Sequence, residues 1–170
     1  MKLGLISAIL GDLSFEEMID FLAECGLECV EVACWPKGKA ERRYAGVSHI
    51  DVDTLDDEKC AHILDYCQKK GVEISSLAYY PNTMDPDVEK RTAYIEHLHK
   101  LIDASAKLGV NMITTFIGRD PKKTVSQNLE LVKEIWPPIL DHAKEKGVKV
   151  AIENCPMLFT EDEWPGGQNL

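Results

Sequence analysis

The chain has 170 residues, 45% of them hydrophobic and 28% charged, with a formal net charge of -10 at pH 7. That length fits one domain able to bury a sizeable core, and the composition is that of a globular protein, not a disordered or fibrous one. The acidic balance argues against general nucleic-acid binding and against anionic membrane surfaces, since both need clustered Lys and Arg.

Residues 2–7 form the first apolar run and Gly11-Asp12 turns it. The N-terminal run over residues 2–10 is too short to span a membrane and lacks the cleavage pattern of a signal peptide before Gly11-Asp12, so the expectation is a cytoplasmic chain. Ser14 with Glu17 three residues later reads as a capping box. Phe15, Met18, Ile19, Leu22 and Ala23 then recur at helical spacing until Gly26. Residues 29–35 read as the second strand, with Glu31, Ala33 and Trp35 on one face and Val30, Val32 and Cys34 on the other. The polar segment 36–53 is longer than a plain connection, and loops of that size usually carry function.

A helix is expected over 55–70, closed by Gly71, and a third strand over 72–80, ending in Pro81-Asn82. A helical pattern covers about 87–108 up to Gly109, and a fourth strand covers 111–117. The next helix, about 124–146, contains Pro137-Pro138, which predicts a kink or a split. Residues 148–156 then read Val-Lys-Val-Ala-Ile-Glu-Asn-Cys-Pro. This short β-branched run, introduced by Gly147, reads as a buried parallel strand that ends in a carboxylate. Carboxylates at the C-terminal ends of parallel strands sit where α/β proteins place their chemistry. No convincing periodicity follows Pro156, and the end at residues 166–170 reads as an interruption in mid-loop.

Of the six cysteines, none forms a C-x-x-C pair. Cys25, Cys29, Cys34, Cys60 and Cys67 fall on predicted strands or helix faces and are expected to be reduced core thiols.

Strict alternation of strands and helices implies a parallel sheet with right-handed crossovers. An open doubly wound sheet and part of an eight-stranded barrel both fit. The first strand-helix turn lacks the G-x-G-x-x-G fingerprint and there is no Walker-type loop, which counts against a nucleotide-binding doubly wound domain. Polar residues on the inner strand faces, Glu31, Ser75, Thr114 and Glu153, suit the lumen and mouth of a barrel.

Four segments at strand ends carry a resemblance: Cys29-Val30-Glu31-Val32, Leu77-Ala78-Tyr79-Tyr80-Pro81-Asn82, Thr115-Phe116-Ile117-Gly118-Arg119 and Ala151-Ile152-Glu153-Asn154. In these the chain resembles the xylose isomerase-like (β/α)8 TIM barrels, the superfamily of sugar (phosphate) isomerases and epimerases that also holds endonuclease IV-type repair enzymes. The resemblance implies an α/β fold with a parallel sheet, a partial (β/α)8 TIM barrel of about (βα)4 plus strand five. The chain is then one domain over residues 1–170, the N-terminal half of a barrel or slightly more. Repair-type members place metal-binding histidines after strands three and four. Tyr79 and Phe116 stand at those positions here, so the resemblance is to the sugar-processing branch.

What that branch implies is proton transfer at a carbon next to a carbonyl, through an enediolate, assisted by a divalent metal. Glu153 matches the strand-five glutamate that is a metal ligand there, and it is also the candidate base. The remaining ligands of the family lie on later strands. Oxygen ligands favour Mn2+ or Mg2+, and an added imidazole leaves Zn2+ or Co2+ open. Trp35, Tyr79 and Phe116 are candidate walls for a sugar ring, and Asn82, Arg119 and Asn154 are candidate polar contacts. His49 of the long loop is a candidate that can reach the pocket. The expected partner is a small sugar or sugar phosphate, with no nucleic acid and no membrane, and exposed sheet edges leave a homo-oligomer open. A non-catalytic half-barrel assembly module and a lyase or dehydratase on the same scaffold are the competing readings.

Overall fold

The computed structural model describes residues 1–37 and 45–153. Five strands, β1 (Gly4–Ile6), β2 (Cys29–Ala33), β3 (Glu73–Ala78), β4 (Met112–Thr115) and β5 (Lys149–Ile152), alternate with α1 (Phe15–Glu24), α2 (Asp57–Lys70), α3 (Val88–Lys107) and α4 (Val125–Glu145). A 3-10 turn, Ser7–Leu10, follows β1.

All four strand pairs are parallel and the sheet order is β1-β2-β3-β4-β5. This order decides between the two architectures. Right-handed crossovers that always step in one direction place every helix on the same side of the sheet, whereas a doubly wound sheet must reverse. The sheet is a barrel wall, and among the described residues its helices lie on one face.

The core lies between sheet and helices. Val30 and Val32 of β2 and Cys34 just after it, with Ile74, Leu77 and Ile113 from β3 and β4, meet Met18, Ile19 and Leu22 of α1, Leu98, Leu101 and Ile102 of α3, and Trp136 and Ile139 of α4. The helices begin where short polar side chains satisfy the first free N–H groups. Ser14 and Glu17 form the expected capping box on α1, and Thr124 with Gln127 forms a second on α4. Asp56 caps α2 by accepting from the Lys59 N–H at 2.8 Å, and Gly71 ends it at φ 70°.

Three expectations need correction. First, α4 is not split at Pro137-Pro138 but runs through both. These prolines and the residues one turn earlier, Lys133 and Glu134, are exposed, so water can satisfy the carbonyls that lose their donors. Second, the register of β2 against β3 shifts between Val30 and Glu31, so that Glu31 pairs with Ser76. This bulge moves Ser75 out of the inner row; its hydroxyl bonds the Val30 carbonyl at 3.0 Å. Third, the cysteines divide: Cys34, Cys60 and Cys67 are buried free thiols, but Cys25 is exposed and Cys29 half-buried. Cys25 is the residue that ends α1, past the apolar stripe, which explains its exposure.

Candidate active site

The helix-free face is built by the pleat. Residues opposite each other in register share a face, so Ala33, Ala78, Thr114 and Ala151 form one row across β2 to β5. Glu31 and Ser76 lie one step towards the strand N-termini. Tyr80 and Glu153 lie one step beyond the row, just past the ends of β3 and β5. Ala33 and Ala78 are fully buried in this row, and a cavity of about 410 Å3 opens beside Ala151, lined by Ile6, Glu31, Tyr80, Thr114, Ala151, Ile152 and Glu153.

Its polar groups form a connected set. Tyr80 donates its phenolic hydrogen to Oε1 of Glu31. The Ser76 hydroxyl donates to Glu31 Oε2 at 3.2 Å and lies 3.5 Å from the Thr114 hydroxyl. Burial above all, then the bond to Glu31 and the negative charges of Glu31 and Glu153, push the Tyr80 pKa well above the usual phenol value. Tyr80 is therefore a neutral donor at physiological pH. Its ring packs on Phe116, with centroids 4.7 Å apart. Glu153 is exposed at the mouth, held by its backbone N–H, which donates to the Thr115 carbonyl at 3.0 Å.

The candidates read from sequence fall into separate groups. Glu153 lines the cavity and Phe116 backs its tyrosine wall. Tyr79 points the other way, 1% exposed in the helix-side core, between the Trp35 ring at 4.9 Å and the His97 ring at 4.6 Å. Trp35 accordingly packs against that core and not on the cavity. Asn82 and Arg119 meet each other: the Asn82 amide donates to the Arg119 carbonyl at 2.9 Å, and its oxygen accepts from the Arg119 N–H at 2.8 Å. That exchange ties the loop after β3 to the loop after β4. The His49 ring bonds the Ser7 hydroxyl at 3.0 Å and the Leu10 carbonyl at 3.2 Å. A carbonyl only accepts, so Nε2 carries the proton and Nδ1 accepts from Ser7. Burial lowers the His49 pKa, and the ring fastens the long loop to the end of β1. Asn154 lies outside the described residues.

Sequence reasoning passed over Tyr80 in favour of its neighbour and placed Ser75, not Ser76, on the inner face. A usable signal was Glu31 itself: a carboxylate on a buried strand requires donors across the sheet, and Tyr80 and Ser76 both share its face.

Residues 19–166 match the family of xylose isomerase-like TIM barrels. The chain belongs to that family. Among solved structures it is similar to D-psicose 3-epimerase from Clostridium cellulolyticum H10, crystallised with D-tagatose, at 18% identity and a TM-score of 0.69, covering 95% of this chain and 56% of that one. It is equally similar to AsbF, the probable 3-DHS dehydratase of petrobactin synthesis in Bacillus anthracis, at 18% identity and a TM-score of 0.69, covering 95% and 54%. The IOLI protein with a bound zinc atom matches at 17% identity and a TM-score of 0.64, covering 92% and 52%. At such identities the likeness is one of fold. The chain spans about half the length of these structures. No curated protein matches it.

The cavity opens towards the C-terminal ends of the strands, the end at which TIM barrels carry their chemistry. Among the described residues no three His, Cys, Asp or Glu side chains come together as a metal site. No described helix is long and apolar enough to cross a membrane.

Proposed function

We propose that this barrel wall forms one side of a sugar isomerase or epimerase site, working by proton transfer at a carbon next to a carbonyl. The observation that carries the reading is the position of Glu153. It stands just past the end of β5, exposed in a cavity whose other walls are the Glu31 carboxylate, the neutral Tyr80 phenol, the Thr114 hydroxyl and the apolar Ile6, Ala151 and Ile152. A carbon acid of this kind needs a carboxylate to take the proton and hand it back. Glu153 is the exposed one of the two carboxylates in the cavity; Glu31 is engaged by Tyr80 and Ser76. The apolar Phe116-Tyr80 wall suits the C–H face of a sugar, and the hydroxyl donors suit its oxygens.

A divalent ion, Mn2+ or Mg2+ with Zn2+ or Co2+ as alternatives, would supply stabilisation of the negative charge that develops on the substrate oxygens. Glu153 is its ligand in this chain, and the other ligands come from the rest of a barrel or from a partner. A dehydratase is the second reading, favoured by the equal likeness to a probable dehydratase; enediolate chemistry serves both reactions. Calorimetric titration of Mn2+ into the wild-type chain and into Glu153→Ala, with the mass of each in solution, tests the proposal. Binding that depends on Glu153 supports it, as does a dimer that rebuilds a closed mouth. Equal heats from both proteins would remove Glu153 from the ligand set and favour an assembly module.

A further inference from the structure

Among the described residues one buried side-chain nitrogen has no hydrogen-bond partner, Nε2 of His99 on α3. Such unmet groups are rare in folded chains and each calls for an explanation. The His99 ring packs on the ring of His142 from α4, with centroids 4.8 Å apart. His142 Nε2 lies 3.0 Å from Oδ1 of Asp103, one turn along α3 from His99, and Lys146 at the end of α4 donates to the same oxygen at 2.8 Å. Burial alone would raise the Asp103 pKa, but the Lys146 bond and the neighbouring His142 bring it below the ordinary value. Asp103 is thus the anion of the cluster, and since a carboxylate only accepts, His142 Nε2 carries a proton. Burial first, then His142, lowers the His99 pKa.

The charged groups that the structure brings to His99 are Asp103 of its own helix and His142 and Lys146 of α4. The strands packed against α3 add none: β4 has no titratable side chain, and the one in β3, Glu73, pairs with Lys2. Further round α3, Lys100 and Lys107 pair with Asp53 and Asp57, and exposed Glu96 stands near Lys100. The far end of α4 depends on this seam. Pro137 and Pro138 lack N–H groups, so two consecutive rungs of the helix ladder are missing. Beyond them α4 is held by Ile139 and Ala143 in the core and by the His99-His142 contact. Just before them Trp136 donates its indole N–H to the Ile117 carbonyl at 3.0 Å, next to Phe116 of the cavity wall. Thr83 donates to the same carbonyl at 2.8 Å.

We propose that the His99-His142 pair is an acid-operated latch between α3 and α4: when both rings are protonated, α4 loosens from α3 and slackens the hold of Trp136 on the loop after β4. An imidazolium has two N–H donors and no acceptor. A proton taken from solvent by His99 therefore places a cation against the His142 ring and leaves a buried donor unmet at Nε2. His99 is half-exposed, so its ring can leave the seam for water, and the contact that pins the far end of α4 goes with it. The folded chain resists this proton, so the closed latch is favoured above pH about 6.5 and lost as pH falls through the lowered His99 value. Thr83 keeps the loop attached, and the outcome is a looser wall beside Phe116, not an unfolded chain. The latch is independent of what the cavity binds.

The test uses the full chain without sugar or metal, so that it stands apart from the reading of Glu153. NMR between about pH 7.5 and pH 5 follows the histidine rings, the Trp136 indole N–H (assigned with Trp136→Phe) and hydrogen exchange of the Ala143 amide. The proteins are the wild type, His99→Phe, His99→Gln and, as a control, His62→Gln, whose histidine bonds Glu16 between α1 and α2. In the wild type the Trp136 signal should move with the same midpoint as the His99 ring. At pH 5 the Ala143 amide should be at least about fivefold less protected than in His99→Phe at the same pH, the low end of what an unmet buried donor costs. Either His99 variant should hold the Trp136 signal still, and His62→Gln should titrate like the wild type. Circular dichroism identifies the variants that fold, and either one suffices. The proposal is overturned by a His99 ring that stays neutral to pH 5, by a Trp136 signal that does not follow it, or by an unchanged Trp136 titration in a folded His99 variant.

Discussion

Tyr80, just past the end of β3, and Glu31 of β2 share one hydrogen bond that sets the character of the open sheet face: the phenol donates, the carboxylate accepts. A bond to a charged acceptor contributes about 1.5–3 kcal/mol when half-buried, so Tyr80→Phe should lose about that much at pH 7 in urea unfolding. The pH dependence carries the sharper signature. Burial and the Glu31 bond raise the phenol pKa in the folded chain, while the unfolded tyrosine ionises near its ordinary value of about 10. The stabilisation is therefore complete below pH about 10 and lost as pH rises through the folded value. Wild type should lose more stability than Tyr80→Phe between neutral and strongly alkaline pH; parallel curves would mean the bond is weak in solution.

The sequence made the strand-helix alternation legible because apolar spacing changes from period two to period 3.6 at each boundary, and capping residues such as Ser14 with Glu17 mark the starts. It did not make the facing of Tyr79 and Tyr80 legible. Two adjacent tyrosines are chemically alike, and a one-residue change of frame sends each to the opposite face. The bulge between Val30 and Glu31 is such a change, and it exchanges Ser76 for Ser75 beside Glu31. Composition holds no trace of a bulge. Asn82 and Arg119 were visible as polar residues at strand ends, but their mutual bonding depends on two loops meeting across 37 positions of sequence.

Acid should act on the histidines first. Burial lowers the pKa of His49, His97 and His99, and His97 bonds the Cys34 carbonyl at 2.8 Å through Nε2. The unfolded chain then takes up protons that the folded chain resists, so this stability is present above pH about 6.5 and lost as pH falls through the depressed folded values. Urea midpoints should drop between pH 7.5 and pH 5. His97→Phe keeps a ring against Tyr79 but removes the donor to Cys34; it should be less stable by about 1 kcal/mol at pH 7.5 and show a shallower acid drop. An equal drop in the variant would shift the acid response to the other two rings.

The two loops bordering the mouth should fail together at Gly118. Its φ is 78°, and a Cβ there would lie 2.7 Å from the Asn82 Oδ1 and 2.8 Å from the Thr83 N. Left-handed backbone strain and overpacking each cost about 1–3 kcal/mol, so Gly118→Ala should destabilise by about 2–4 kcal/mol. Asn82→Ala should cost about 1–3 kcal/mol through its lost bonds to the Arg119 backbone. Because Asn82 supplies one of the clashing atoms, the double variant should cost less than the sum of the singles. Strict additivity in denaturant titrations would show that the Thr83 and Met84 backbone, and not Asn82, sets the clash.

Glu153 and Glu31 should respond oppositely to the same substitution. Glu31 receives two hydroxyl donors inside the sheet face, so Glu31→Gln weakens two charge-assisted bonds and should cost about 1–3 kcal/mol of stability. The Glu153 side chain is exposed and the bond that anchors the residue is made by its backbone, to Thr115. Surface substitutions away from such bonds stay within about 0.5 kcal/mol, and Glu153→Gln should unfold like the wild type while losing affinity for Mn2+. A chain that sheltered Glu153 for structural reasons would show the reverse, a large loss of stability and unchanged metal binding. The pair of unfolding curves therefore separates a carboxylate that holds the wall together from one kept available for a ligand.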